Sequence, residues 1–252
     1  MLRGTLRNIV LIGAPGVGKG TFAKLIASET GWKHVSMGDI LRKEVKDGTS
    51  LGKEVEGILR RGGLVSDALI NAIAYKQLNF VEKSYNQTTD RSLEQRWGRG
   101  VLLDGYPRTI GQAVALTNQI VGTNKRGTCL AVQIVLEPWV AIQKMLHRRQ
   151  CVTCGDSFNT ADIVQDGYDM PAILPNKSTC RMGKDCLPNF VNRNDDTTEI
   201  IESRMLEYGV KTAPIIEYYQ QRGELCTFHV KKGVKDTPQL LQLIREHIIG
   251  PS

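Results

Sequence analysis

The sequence has no long hydrophobic run, few aromatic residues and little cysteine for its length. No stretch approaches the roughly 18 consecutive apolar residues of a membrane-spanning helix, so we predict none. Phe, Trp and Tyr form 6% of the 252 residues, which argues against a nucleic-acid surface of interleaved basic and aromatic side chains. Six cysteines are too sparse for a secreted disulfide scaffold.

The amino-terminal segment lacks the features of a targeting signal. Residues 1–8 contain two arginines and no acidic residue, and no apolar stretch of the signal-peptide kind follows them. The segment is also short for a mitochondrial transit peptide. We therefore expect a cytoplasmic protein, with the mitochondrial matrix as the alternative because the chain is basic.

The composition that remains is that of a folded globular chain. Hydrophobic residues form 41% and charged residues 23% of the sequence, which excludes wholesale disorder. The formal net charge of +7 indicates an anionic partner, which could be nucleic acid, a membrane surface or a small anionic substrate.

Apolar periodicity predicts an α/β protein with a parallel sheet. Short runs rich in Val, Ile and Leu predict buried strands, and helical spacing of apolar residues separates them. Within a polar stretch over 79–100, residues 85–90 predict a loop, and Asp196-Thr197-Thr198-Glu199 resembles a capping box. The predicted strands are 8–13, 101–105, 130–136 and 226–230; the predicted helices are 21–30, 38–47, 51–61, 67–74, 138–150, 196–221 and 238–249.

A glycine-rich turn follows the first strand and precedes the first helix. Its glycines allow successive N–H groups to point inward around phosphate oxygens, and the helix N-terminus faces the same anions. A lysine adds a mobile cation, but Gly20 stands where the general phosphate loop has Ser or Thr. A magnesium-ligating hydroxyl is therefore displaced to Thr21 or absent. The full turn reads Gly13-Ala14-Pro15-Gly16-Val17-Gly18-Lys19-Gly20-Thr21.

This turn resembles the phosphate loop of the adenylate kinases, and further motifs of that family follow in order along nearly the whole chain. They are Gly38-Asp39-Ile40-Leu41-Arg42, Leu64-Val65-Ser66-Asp67, Leu103-Asp104-Gly105-Tyr106-Pro107-Arg108-Thr109 with Gln112, and Arg193-Asn194-Asp195-Asp196 with Arg204. The resemblance implies a P-loop NTPase-type parallel sheet flanked by helices. It divides the chain into core (1–36, 75–149, 194–252), a helical NMP-binding insertion (37–74) and a lid (150–193).

The resemblance implies reversible, Mg²⁺-dependent phosphoryl transfer from ATP to AMP, giving two ADP. It assigns catalytic roles to Lys19, Asp104, Arg108, Arg148, Arg193 and Arg204, with Asp104 holding magnesium through water. It assigns the nucleotide cofactor to Gly13, Ala14, Pro15, Gly16, Val17, Gly18, Lys19, Gly20, Thr21, Arg148 and Lys235. It assigns AMP to Met37, Arg42, Leu64, Val65, Gly105, Arg108, Gln112, Arg193 and Arg204.

Two departures from the family pattern bear on the choice of nucleotide. Met37 replaces the usual Thr at the acceptor site, and a thioether cannot donate a hydrogen bond to a base. Lys144 aligns with a family arginine that covers the donor base, and an ammonium stacks less well than a guanidinium. A GTP:AMP phosphotransferase, or one for another nucleoside monophosphate, is therefore the alternative.

Four cysteines crowd into the predicted lid. Cys151-Val152-Thr153-Cys154 is a C-x2-C knuckle, and Cys180 and Cys186 could complete a tetrahedral Zn²⁺ site. Unligated thiols and disulfides are the alternatives. Cys129 and Cys226 flank predicted strands and are expected to be buried packing residues.

A remote alternative is a zinc-knuckle nucleic-acid-binding protein that uses its phosphate loop as a regulatory switch. The sparse aromatic residues and scattered cations argue against it. We expect a monomer that acts on nucleotides and binds neither nucleic acid nor membranes. Asp195 and Asp196 could either cap the helix that follows them or pair with a catalytic arginine.

Overall fold

A five-stranded parallel sheet forms the centre of the protein. The computed structural model describes residues 7–85, 91–121, 129–153, 155–176, 180, 190–193 and 195–249. The strands are β1 (Arg7–Ile12), β2 (Lys33–Ser36), β3 (Gly100–Asp104), β4 (Cys129–Val135) and, after the smaller sheet described below, β8 (Leu225–His229). Their spatial order is β2-β3-β1-β4-β8, and every neighbouring pair is parallel. All five carboxyl ends therefore lie at one edge, where loops of this fold bind ligands.

Helices cover both faces of the sheet. They are α1 (Lys19–Thr30), α2 (Met37–Lys46), α3 (Ser50–Arg60), α4 (Asp67–Ser84), α5 (Arg91–Trp97), α6 (Ile110–Val121), α7 (Pro138–Leu146), α8 (Thr198–Glu207), α9 (Pro214–Gln221) and α10 (Thr237–Ile249). Within the described ranges, no helix combines the length and the apolar character needed to cross a membrane.

The hydrophobic core is divided between the two faces of the sheet by strand alternation. In β1, Val10 and Ile12 pack into one cluster, whereas Ile9 and Leu11 pack into the other. Successive side chains of a strand point to opposite faces, so an unbroken apolar strand supplies both clusters. The predicted P-loop NTPase-type α/β architecture is confirmed.

A smaller antiparallel sheet lies in the predicted lid. It consists of β5 (Arg148–Cys151), β6 (Ser157–Asn159) and β7 (Phe190–Val191), in the order β6-β5-β7. Ala161, Ile163, Tyr168 and Met170 do not stay with this sheet but join the main core beside the phosphate loop. Part of the predicted lid (150–193) is thus buried against the main core.

One strand of the main sheet was not predicted from the sequence, and several predicted helix boundaries were wrong. Strand β2 was not predicted, because it has four residues of mixed polarity and is held by its pairing with β3. The predicted helix 138–150 ends at Leu146, since Arg148–Cys151 pairs with β6 instead. Helix α4 extends beyond the predicted 67–74 to Ser84, and α5 (Arg91–Trp97) was not predicted; residues 86–90 of the predicted loop 85–90 lie outside the described residues.

The predicted helix 196–221 is broken near its middle. It forms α8, a π-helical turn over Tyr208–Thr212, and then α9, which begins at Pro214. A proline cannot continue the α-helical hydrogen-bond ladder, which explains the interruption. The N-cap of α8 is Thr197, whose hydroxyl accepts from the Ile200 N–H at 3.5 Å, so the capping assignment that began at Asp196 was shifted by one residue.

Candidate active site

The glycine-rich loop joins β1 to α1 at the carboxyl edge of the sheet, and two of its glycines lie against neighbouring backbone. A Cβ on Gly16, whose φ is +84°, would come 2.3 Å from the Ala141 carbonyl oxygen. A Cβ on Gly13 would come 2.5 Å from the Ile134 carbonyl oxygen. Gly18 stands at the N-cap of α1 with φ 94°, a left-handed conformation that glycine adopts readily. The loop is thus pressed onto β4 and α7 while the N-terminus of α1 opens towards the cleft.

Lys19 is the first residue of α1, and its ammonium group lies inside the loop. Its Nζ donates to the carbonyl oxygens of Gly13 and Ala14 at 2.7 and 2.9 Å. Burial lowers the pKa of Lys19 to about 7; Asp104 opposes that shift, whereas cations such as Arg108 add to it. The folded chain therefore holds this cation at an electrostatic cost that a bound phosphate would relieve.

Asp104 ends β3 beside the phosphate loop. A Cβ on Gly20 would lie 3.1 Å from its Oδ2, so the glycine keeps the carboxylate accessible to the loop. The ring Nε2 of His34 is buried, finds no hydrogen-bond partner in the described part of the chain, and lies 3.7 Å from the same oxygen. Carboxylate oxygen is the ligand type that Mg²⁺ prefers, and Asp104 fits a magnesium site there; Thr21 is exposed on the first turn of α1.

Arg108 follows β3 and lines the same cleft as Lys19, and its backbone is hydrogen-bonded from two sides. The Arg108 N–H donates to Gln112 Oε1 at 2.7 Å, and the Thr212 hydroxyl donates to the Arg108 carbonyl at 3.0 Å. The guanidinium Nε donates to the Gly105 carbonyl at 3.2 Å. Burial is the main cause that lowers the Arg108 pKa. The side chain remains a guanidinium fork, which suits two phosphate oxygens.

The other predicted acceptor residues divide between the cleft and the core. Arg42 is 40% exposed and pairs with Asp39 at 2.5 Å. Leu64 lines the cleft, whereas Met37 and Val65 are 2% and 6% exposed and belong to the core cluster of α2–α4. The Met37 side chain therefore contributes to core packing. It carries no hydroxyl group, unlike the Thr that is usual at this position in the family.

Three arginines and two aspartates form one cluster between the lid sheet and α8. Arg148 makes two hydrogen bonds to Asp196, one of them from Nε to Oδ2 at 2.7 Å, and Arg204 reaches Asp195 at 3.2 Å. Arg193 lies 3.6 Å from Asp195, and its Nε is buried with no hydrogen-bond partner among the described residues. The two aspartates thus pair with arginines, and Thr197 takes the capping role.

Crowding of like charges within this cluster perturbs its titration. Burial, followed by the neighbouring cations Arg148 and Arg42, lowers the pKa of Arg193 to about 10. Burial alone would raise the pKa of Asp195, but Arg193 and Arg204 hold it below its usual value. The cluster is therefore an electropositive concavity only partly neutralised by carboxylates, which favours a polyanionic ligand.

Two adjacent arginines, Arg148 and Arg149, differ in their hydrogen bonds. Arg148 enters the cluster, whereas the Arg149 Nη1 donates to the Leu146 and Arg148 carbonyls, both at 2.9 Å. Nearby, the Lys144 side chain is half-buried, which lowers its pKa, and its carbonyl accepts from Asn159 Nδ2 at 2.7 Å. The end of α7 is thereby tied to the lid strand β6.

Two of the four lid cysteines lie in the described residues. Cys151 and Cys180 are buried together with Phe158, and Phe190 packs against them. Cys154 and Cys186 lie outside the described residues. Among the residues that are described, no group of three or more metal-ligating side chains forms.

The remaining predicted residue, Lys235, lies in a 3₁₀-helical turn (Gly233–Asp236) between β8 and α10. Its Nζ pairs with Asp169 of the 161–170 segment at 3.0 Å, and both side chains are 51% exposed. The nearby Lys231 ammonium lies 4.1 Å from the Tyr168 ring centroid. Lys235 is thus available at the surface where the lid segment meets the core.

One cleft collects residues from the phosphate loop, the β3 loop and α8. Seven of its residues were not among the predicted site residues, and three of these, Glu207, Tyr208 and Thr212, come from the end of α8 and the π-helical turn. Pro214 after an amphipathic helix was the available signal of that interruption. The cleft lining comprises Leu11, Ile12, Gly13, Pro15, Lys19, Gly62, Leu64, Gly105, Pro107, Arg108, Arg204, Glu207, Tyr208 and Thr212.

Comparison with known proteins agrees with this site. The family model for adenylate kinase matches residues 11–224. A GTP:AMP phosphotransferase of Plasmodium falciparum is 37% identical over 236 residues, covering 91% of this chain and 92% of the relative. An adenylate kinase of Fervidobacterium nodosum is 33% identical, covering 93% and 95%. Adenylate kinase 1, chloroplastic, of Arabidopsis thaliana is 33% identical, covering 95% and 78%. This chain therefore belongs to the adenylate kinase family and is a nucleoside monophosphate kinase.

Proposed function

We propose that the enzyme transfers the γ-phosphoryl group of ATP reversibly to AMP, giving two ADP. The observation that carries the proposal is the meeting of Lys19, Arg108 and Arg204 around one cleft. Phosphoryl transfer needs positioning and charge stabilisation more than covalent chemistry. A cleft that presents three partly buried cations from three separate segments, the start of α1, the loop after β3 and α8, supplies both.

In the proposed reaction an oxygen of the AMP phosphate attacks the γ-phosphorus, and the bond from that phosphorus to the bridging oxygen of ADP breaks. Arg108 and Arg42 orient the acceptor phosphate, and Lys19 with the N-terminus of α1 holds the donor phosphates. Arg148, Arg193 and Arg204 stabilise the charge that spreads over the transferring group. Magnesium, when bound, neutralises phosphate charge, and Asp104 is the residue proposed to hold it through water.

The proposed three-part division explains how the site excludes water. The acceptor insertion (37–74) and the lid (150–193) are proposed to close over the nucleotides from different sides, since their arginines approach the phosphate loop from separate elements. Segment 161–170, whose apolar side chains join the core, would then be the fixed base of the lid. The part proposed to move is the sheet β5–β7.

GTP as donor is the second candidate. Two observations favour it: the relative that is 37% identical bears the name GTP:AMP phosphotransferase, and Lys144 stands where a stacking arginine is usual. An initial-rate panel decides between the two, with ATP, GTP, CTP and UTP as donors for AMP. Faster turnover with GTP than with ATP would replace the first assignment by the second.

The proposal is tested by AMP-dependent ADP formation in the purified protein. We expect Lys19→Met to abolish turnover, because it removes the cation inside the phosphate loop. Lys24→Met is the matched control: Lys24 lies on the same helix, its side chain is 56% exposed, and its loss should leave the rate nearly unchanged. Absence of AMP-dependent turnover with every donor would overturn the proposal.

We also propose a structural zinc ion held by Cys151, Cys154, Cys180 and Cys186. The burial of Cys151 and Cys180 in one small cluster supports it, as does the chain reversal at the knuckle, where Cys151 N–H donates to Asp156 and Gly155 N–H to Cys151. Such an ion would stabilise an excursion that has little core of its own. Elemental analysis should find about one zinc per chain, and Cys180→Ser should lose it; a zinc-free, equally stable wild type would contradict this.

Cytoplasmic location, with the mitochondrial matrix as alternative, and a monomeric state without nucleic-acid or membrane binding remain proposals. Six cations are assigned to nucleotide phosphates and would account for most of the net charge of +7, so a nucleic-acid or membrane partner is not needed to explain it. They are Lys19, Arg42, Arg108, Arg148, Arg193 and Arg204. Size-exclusion chromatography with light scattering tests the monomer, and a salt-dependent shift with added RNA would contradict the exclusion of nucleic acid.

A further inference from the structure

The side-chain amide of Gln112 is gripped at both ends by the protein. Gln112 is 2% exposed. Its Oε1 accepts from the Arg108 N–H at 2.7 Å, and its Nε2 donates to Asp67 Oδ1 at 2.8 Å. The first partner is backbone after β3, and the second lies at the start of α4 in the acceptor insertion.

The Asp67 carboxylate is itself fixed. Its Oδ2 accepts from the Thr109 hydroxyl at 2.8 Å, and that hydroxyl in turn accepts from the Gln112 N–H at 3.1 Å. The carboxylate also closes over Gly111, where a Cβ would come 2.8 Å from Oδ2. Asp67 therefore cannot turn away from Gln112 without losing two hydrogen bonds.

These partners determine which way round the amide lies. A carboxylate only accepts and a backbone N–H only donates, so Nε2 must face Asp67 and Oε1 must face Arg108. A reversed amide would put donor against donor and acceptor against acceptor. Among the described residues these two partners leave one hydrogen-bonding position free at each end, an N–H on Nε2 and a lone pair on Oε1, and the order of the two is fixed by the same partners.

A fixed amide discriminates between purine edges. Adenine offers an acceptor at N1 and a donor at the 6-amino group, whereas hypoxanthine and guanine offer a donor at N1 and an acceptor at O6. One orientation of an amide matches the first edge, and the reversed orientation matches the second. We propose that Asp67 is a specificity-determining positioning residue, which holds Gln112 in the orientation that accepts adenine and rejects 6-oxopurine monophosphates. This inference rests on the proposed function with AMP as acceptor, and on the family resemblance, which assigns AMP to Gln112.

The test compares AMP with IMP, which differ only at the edge in question. Equilibrium binding of each monophosphate is measured by calorimetry, and kcat/KM is measured with one donor. In Asp67→Ala we expect the preference for AMP over IMP to fall about tenfold, since one orienting hydrogen bond is lost, with the donor KM unchanged. Asp67→Asn retains an oxygen for Gln112 and should keep most of the preference. Asp47→Ala, at an exposed helix end of the same insertion, should match wild type.

The outcomes separate specificity from general support of the fold. An equal loss of AMP and IMP binding in Asp67→Ala, or an unchanged ratio, overturns the inference. So does a wild-type protein that binds both monophosphates equally. Absence of AMP-dependent turnover in wild type would overturn the proposed function instead, while the ratio of the two binding constants still decides the role of Asp67.

Discussion

Asp196 carries the sharpest prediction about the arginine cluster. Its side chain is 2% exposed, it accepts two hydrogen bonds from Arg148, and it lies 3.6 Å from Arg204. Asp196→Asn keeps the shape of the side chain but removes the negative charge. Arg148 then remains partly buried beside Arg193 and Arg204 with no full counter-charge, and we expect the protein without nucleotide to be less stable.

The magnitude follows from the pairing. Removing one partner of a buried ion pair costs about 3–5 kcal/mol. Asparagine retains one oxygen for Arg148 and Arg204 retains Asp195 at 3.2 Å, so we expect about half of that loss, near 2 kcal/mol. For a chain of this size, about 2 kcal/mol lowers the Tm by about 4–8 °C.

Thermal unfolding followed by circular dichroism measures the effect. Asp47→Asn is the control: this aspartate is 46% exposed and pairs with Lys43 at 2.8 Å, and an exposed pair contributes about 1 kcal/mol or less. Adding AMP with a non-hydrolysable donor analogue supplies phosphate charge to the cluster and should narrow the deficit of Asp196→Asn. A Tm of Asp196→Asn within about 1 °C of wild type, or a Tm difference that nucleotides do not change, would show that Asp196 is not the counter-charge that stabilises the arginine cluster.

Three further predictions concern the cleft. Arg108→Lys should raise the AMP KM about tenfold or more and leave the donor KM unchanged, because an ammonium lacks the bidentate fork; steady-state kinetics with an unchanged AMP KM would contradict this. Since burial lowers the pKa of Lys19 to about 7, its charged form declines above that pH, and kcat/KM for the donor should fall between about pH 7 and pH 9; a flat profile would contradict it. A Cβ on Gly62 would lie 2.9 Å from Arg204 Cγ, so Gly62→Ala should displace Arg204 and lower kcat, whereas Gly48→Ala, with φ +64° but nothing within 4 Å, should cost stability alone. Equal kcat values for the two alanine variants would contradict the expected displacement of Arg204.

The parallel core was predictable because its strands are continuous apolar runs with glycine-rich punctuation. Strand β1 packs on both faces of the sheet, so its unbroken apolar sequence directly indicates a buried strand. Strand β2 (Lys-His-Val-Ser) and strand β5 (Arg-Arg-Gln-Cys) do not, since each is short and polar and is stabilised by pairing with a distant segment. Such pairing is a property of the fold and is invisible to local periodicity.

The candidate site shows the same division. The phosphate loop and the arginines could be named from motifs, because their spacing along the chain is itself the signal. The contacts of Asp67 and Thr212 could not be predicted. Asp67 accepts from Gln112, 45 residues away, and Thr212 donates to Arg108, 104 residues away, and nothing local distinguishes these two residues from a helix start and a core threonine. The pairing of Asp195 with Arg204 was one of two open readings until Thr197 proved to be the cap.

The central claim, transfer between two nucleotides within one cleft, is tested most directly by following a labelled phosphoryl group. The purified enzyme is given γ-³²P-labelled ATP, or GTP, together with AMP and Mg²⁺, and the products are separated by chromatography. We expect the label to move to the β-position of the ADP formed from AMP. The rate should depend on the AMP concentration and should fall to zero in Lys19→Met. Label appearing only in inorganic phosphate, or remaining on the donor whatever the AMP concentration, would contradict it.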